Sequence, residues 1–140
     1  MIKIFLDASV IIPALLSPTG GSAKLIKFIK LKAVIGITSQ NVIEEVERNS
    51  VKIGKNPQEI RQFINDNLIL IRNKVTSTET KLYKSIVVEK DVHVVTGARL
   101  TKCDFLVTLD QKHLLKQEVV RAAKPLKITT PKELLTELVK

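Results

Sequence analysis

Five short apolar segments separated by helical stretches constrain this chain more than any other feature. Residues 2–6, 34–37, 68–71, 105–108 and 126–128 are rich in β-branched and apolar side chains and do not alternate with polar ones. Strands lacking that alternation are buried on both faces, which is the habit of parallel sheets covered by helices. The intervening spacing predicts helices over 9–16, 22–32, 39–51, 58–67, 78–89, 91–101, 111–118 and 131–139. In the second of these, Leu25, Ile26 and Ile29 fall on one face and Lys24, Lys27 and Lys30 oppose them. Strand and helix in alternation predict an α/β fold: a three-layer α/β/α sandwich around a central, mostly parallel five-stranded sheet. No internal repeat or linker divides the chain, so residues 1–140 read as one domain.

Composition narrows the function. The chain has 140 residues, a net charge of +9, one cysteine and two histidines. Cys103 alone forms no internal disulfide and no cysteine-based zinc cluster, and His93 with His113 makes no histidine-rich site. The longest apolar stretch, residues 4–16, is interrupted by Asp7 and Pro13 and is shorter than the ~18–20 residues a bilayer span needs. A soluble, cytoplasmic protein is expected. The positive charge favours an anionic partner, nucleic acid being the commonest.

In a parallel sheet, ligand sites lie at the carboxyl ends of the strands. Asp7 follows the first strand and Asp110 the fourth. Each alone reads more readily as a helix cap; two on one rim weaken that reading. On the helix over 39–51, Val42, Ile43 and Val46 define the buried face. At about 100° per residue, Glu45 lies roughly 100° from its centre and Glu44 roughly 155° away. Glu45 can therefore reach the rim, Glu44 faces solvent, and Glu47 borders the other flank. Asp91 projects along the buried face of its helix at the first turn, where the dipole favours an anion. Asp104 precedes the fourth strand and reads as a turn residue at the opposite rim. If Asp7, Glu45, Asp91 and Asp110 converge, two like charges ~5 Å apart cost on the order of 3 kcal/mol at an effective dielectric near 20. Such a cluster needs cations or bound protons. Oxygen ligands suit Mg²⁺ or Mn²⁺, which grip phosphates and activate water for attack on phosphorus.

These residues, in this order, resemble the PIN-domain family, the VapC-like ribonucleases. Phe5-Leu-Asp-Ala-Ser9 resembles the family's strand ending in Asp-x-Asn/Ser. Thr38-Ser-Gln-Asn-Val-Ile-Glu-Glu-Val46 resembles its strand-end hydroxyl followed by a helix bearing a Glu, and the alignment selects Glu45. Lys90-Asp-Val-His-Val-Val-Thr-Gly-Ala98 resembles its Asp-led helix, and Cys103-Asp-Phe-Leu-Val-Thr-Leu-Asp110 its Leu-Val-Thr-x-Asp strand end. Ile128-Thr-Thr-Pro131 suits its final strand and helix.

The resemblance implies a metal-dependent endonuclease of single-stranded RNA. It makes Asp7, Glu45, Asp91 and Asp110 the metal ligands or water activators. Ser9 and Thr108 become hydroxyls orienting those carboxylates, although an N-cap and a β-branched strand residue account for them equally well. It also implies a homodimer and, for toxin members, an antitoxin protein seated in the site groove. The chain departs from common members at Ser9, at Gly97 within a helix, and at Glu89, which can serve as an auxiliary acid. Two other readings stand beside the toxin ribonuclease: a PIN nuclease of RNA processing, and a non-catalytic basic nucleic-acid-binding domain. His93 and His113 receive no role.

Overall fold

The computed structural model describes all 140 residues. Five strands form one sheet: β1 (Lys3–Leu6), β2 (Ile35–Ser39), β3 (Leu70–Arg72), β4 (Phe105–Val107) and β5 (Lys127–Thr129). Their order is β3-β2-β1-β4-β5, and every pair is parallel. The apolar central strand, β1, pairs Ile4 with Gly36 on one side and with Phe105 on the other. Eight helices complete the chain: α1 (Ala8–Leu16), α2 (Gly21–Lys30), α3 (Gln40–Arg48), α4 (Ser50–Ile53), α5 (Pro57–Asp66), α6 (Val92–Leu100), α7 (Gln117–Ala123) and α8 (Pro131–Leu138). None is long and apolar enough by itself to cross a membrane.

The strand period of two assigns the helices to layers. Ile4 and its partner Gly36 point to one face, where Ile29 of α2 packs against Gly36. Phe5 points to the other face and meets α6 at Gly97. The sheet is thus covered on both sides, the three-layer arrangement expected from its apolar strands. Gly97 carries a helix-propensity cost of ~1 kcal/mol relative to Ala. Its reason is close approach: a Cβ there would lie 2.9 Å from Cζ and 3.1 Å from Cε2 of Phe5.

Two expected helices differ from the fold. The segment over 78–89 holds only a 3-10 turn, Glu79–Leu82, followed by further turns. Its residues 85–88, Ser-Ile-Val-Val, are poor helix formers, and Tyr83 and Val87 reach the core without a helix. The helix expected over 111–118 begins only at Gln117. Asp110 causes the delay: its carbonyl accepts from Leu114 N (3.2 Å) and Leu115 N (3.0 Å), and its carboxylate from His113 N (2.9 Å). The chain wraps around Asp110 instead of coiling away from it. The helix expected over 39–51 breaks at Asn49, whose side-chain amide donates to the Glu45 carbonyl at 2.9 Å.

Gly97→Ala tests the packing against the propensity. Overpacking against Phe5 is expected to outweigh the gain, lowering stability by about 1–2 kcal/mol in urea denaturation. A gain of about 1 kcal/mol would mean that the Phe5 ring moves freely aside.

Candidate active site

The strand order places β1 in the middle, with chain connections leaving in opposite directions on its two sides. The crevice beyond the carboxyl ends of β1 and β4 is a switch point of the kind that holds ligands in open α/β sheets. Asp7 stands at the end of β1 and is only 5% exposed. It is the N-cap of α1, its Oδ1 accepting from Ala8 N at 2.9 Å. Capping does not exhaust it. Oδ2 accepts hydrogen bonds from the Ser9 hydroxyl and from the Thr108 hydroxyl, each at 2.7 Å. Ser9 Oγ in turn accepts from Leu109 N (2.9 Å), and Thr108 Oγ1 from Asp110 N (3.0 Å). Both hydroxyl protons go to Asp7, so Ser9 and Thr108 orient a carboxylate and tie β1 to the loop after β4.

Asp91 is 7% exposed and sits at the N-terminus of α6, yet its side chain makes no capping bond. Its Oδ2 is buried without a hydrogen-bond partner. Burial, then the charges of Asp110 and Asp7, push its carboxyl up to about 6. The helix dipole therefore does not outweigh desolvation at this position. Glu45, half-buried on α3, is raised by burial and then by Asp7 and Asp91. The four carboxylates singled out in the sequence are brought to one rim, each within electrostatic reach of another.

The remaining acids stand apart from this cluster, at the opposite rim, in surface ion pairs or along an adjoining groove. Asp104 is at the opposite rim, its Oδ2 accepting from Lys3 N at 2.8 Å, as a turn residue should. Glu44 pairs with Lys74 (3.2 Å) and Glu47 with Arg61 (3.0 Å). Glu89 is exposed and lines a polar groove of ≈ 460 Å³ that also includes Glu45, Asp91, His93, Arg48, Lys74 and Lys90. A larger cavity, ≈ 640 Å³, lies beside Asp104 and Lys102 at the amino ends of the strands, far from the carboxylates and at the wrong end of the sheet for the chemistry.

One residue at the site was given no role from sequence. His113 Nδ1 lies 3.3 Å from Asp110 Oδ2 and 3.5 Å from Asp91 Oδ2. Ligand atoms of Asp91, Asp110 and His113 all fall within 4.8 Å of one another. The signal was the three-residue spacing from Asp110, which brings side chains together in any tight turn or helix.

The orphaned buried oxygen of Asp91, the neighbouring Asp110 carboxylate and the His113 imidazole suit a divalent cation. The same cluster is repulsive without one. Asp91 titrates from 3.8 unfolded to about 6 folded, so its contribution to stability is complete below pH ~4 and is lost as pH rises through about 6. In EDTA, Asp91→Asn should gain thermal stability relative to the wild type between pH 4 and 6 and hold that gain above. A divalent cation should raise the wild-type Tm more at pH 7.5 than at pH 5. A difference that is flat with pH in EDTA would contradict the like-charge account.

Comparison with known proteins follows the same lines. Residues 3–112 match the family model described as the PIN domain, a span that takes in Asp7, Glu45, Asp91 and Asp110 and stops one residue before His113. No curated protein gives a significant match in sequence. Among solved structures, the crystal structure of PAE2754 from Pyrobaculum aerophilum superposes with a TM-score of 0.66 at 15% identity, covering 99% of this chain and 96% of that one. At that identity it speaks for the fold. The matched span, the all-parallel sheet and the acidic rim agree, and the chain belongs to the PIN-domain family, which suggests a nuclease.

Proposed function

We propose that this protein is a metal-dependent endoribonuclease that cleaves single-stranded RNA, using Mg²⁺ or Mn²⁺. The observation that carries this reading is the unpartnered Asp91 Oδ2, buried beside Asp110 and within the field of Asp7. A buried anion without a donor is costly unless a cation or proton completes it. Asp91 and Asp110, whose ligand oxygens lie within 4.8 Å of each other, would hold the cation. Asp7 would contribute its negative charge to the site, with a lone pair left on Oδ1 beyond its bond from Ala8 N. A bound divalent cation supplies charge neutralisation and an acidified water for in-line attack on phosphorus.

The protein's own groups do the rest. Ser9 and Thr108 fix the orientation of Asp7 by donating to Oδ2. Glu45 has a basicity raised by burial and then by Asp7 and Asp91, which suits its carboxylate to take the proton of the attacking water. Arg48, Lys74 and Lys90 line the groove and offer positive charge to the RNA backbone on either side of the cut. The overall charge of +9, despite the acidic site, supports a polyanionic substrate.

Within this reading the protein is the toxin of a toxin–antitoxin pair. It acts in the cytoplasm as a homodimer and is restrained by an antitoxin protein. The full acidic set supports an active nuclease, which the toxin role requires. Expression without a partner should arrest growth, and Asp7→Asn should relieve the arrest. Unhindered growth alongside full cleavage in vitro would favour a processing enzyme.

The enzymatic reading is tested with a mixed single-stranded RNA pool. Cleavage is expected with Mn²⁺, should disappear in EDTA, and should fall by at least about 10²-fold in Asp7→Asn, checked for folding by circular dichroism. RNA bound equally in all three samples, and intact, would instead favour a non-catalytic binding domain.

A further inference from the structure

We infer that His113 is a nitrogen ligand of the cation, and that it makes this centre select a first-row transition cation such as Mn²⁺ over Mg²⁺. The inference rests on the metal-site reading above and departs from an all-carboxylate ligand set. Three observations lead to it. The imidazole Nδ1 lies between two carboxylate oxygens, 3.3 Å from Asp110 Oδ2 and 3.5 Å from Asp91 Oδ2. A charge-assisted N–H···O bond is usually about 2.7–2.9 Å, so neither contact is a good one. Around a cation about 2.1 Å from its ligands, adjacent donor atoms are about 3.0 Å apart in octahedral and about 3.4 Å apart in tetrahedral geometry. The Asp110 contact is at most a long hydrogen bond, and the spacing of both contacts is that of ligands sharing a cation.

The second observation is Asp91 Oδ2, which is buried, has no hydrogen-bond partner and has His113 as its neighbour. A histidine placed to donate would have satisfied that oxygen. The third is the turn that aims the ring. His113 N donates to Asp110 Oδ1 at 2.9 Å, while Leu114 N and Leu115 N donate to the Asp110 carbonyl. Those bonds occupy one oxygen of Asp110 and leave Oδ2 on the side of the imidazole. The half-buried ring is held by backbone geometry, at little conformational cost when it binds.

Ligand chemistry then sets the selectivity. Mg²⁺ prefers oxygen donors and keeps its waters, whereas imidazole suits later divalent ions, and affinity rises along the first row. One nitrogen donor beside two carboxylates therefore strengthens Mn²⁺ far more than Mg²⁺.

The test is direct binding at pH 7.5, using Mn²⁺ and Mg²⁺ alone without RNA. Losing even an orienting partner of a ligand costs about 10–100-fold in metal affinity. His113→Ala and the closer-sized His113→Gln should each weaken Mn²⁺ by at least about tenfold and leave Mg²⁺ within about threefold. The electron spin echo of protein-bound Mn²⁺ should show an imidazole nitrogen coupling that persists in His93→Ala and vanishes in both His113 variants. Mn²⁺ bound without nitrogen coupling, or equal loss of both ions, would overturn the assignment while leaving the nuclease reading intact. Nitrogen coupling lost with His113 but no RNA cleavage would uphold the ligand and overturn the nuclease. Absence of any divalent binding would overturn both.

Discussion

Everything at the working rim depends on how Asp7 is held. Its Oδ2 takes two hydroxyl protons, one from its own helix and one from the far side of the β1–β4 boundary. Those hydroxyls in turn receive the backbone N–H groups of Leu109 and Asp110. A single buried carboxylate oxygen thus fixes the exit of the central strand and the course of the chain after β4. Asp110 and His113 inherit their positions from that course.

The same rim opposes stability. Hydrophobic packing elsewhere is continuous: Phe5, Leu6, Val94, Val95 and Leu106 are fully buried in one core. Against it, burial and then the charges of neighbouring acids, Asp7 among them, raise the affinity of Glu45 and Asp91 for protons. Active sites are where proteins retain such conflicts, because relieving them removes the function.

The sheet was legible in the sequence because parallel strands covered on both faces must be apolar throughout, and 2–6 and 105–108 could be little else. The convergence of Asp7, Glu45, Asp91 and Asp110 was legible because strand ends and helical angles are local geometry. What escaped had tertiary causes. Residues 78–89 carry helix-compatible apolar spacing, but Tyr83 and Val87 find the core through turns. The stretch after Asp110 reads as a helix because nothing in its periodicity reveals that the Asp110 carboxylate captures the His113 amide. His113 was overlooked for the same reason. Gly97 looked like a flaw in a helix until Phe5 was found beneath it.

The turn-rich stretch in place of a helix has a consequence for local unfolding. Residues 73–91 are anchored near their start by two contacts: Asn41, whose side-chain amide pairs with both backbone groups of Val75, and Arg72, which grips the Glu79 carboxylate with two hydrogen bonds. Between Glu79 and Asp91 the backbone is held mainly by short-range turn bonds. A segment held this way is expected to open at lower free energy than the sheet and to exchange its amides as one unit. Asp91 is its last residue, and the segment forms one bank of the polar groove. A cation shared between Asp91 and Asp110 would pin the loose end of this segment to the rigid end of β4. Ion binding would then also be an ordering event, slowing amide exchange along a stretch of chain that never touches the ion.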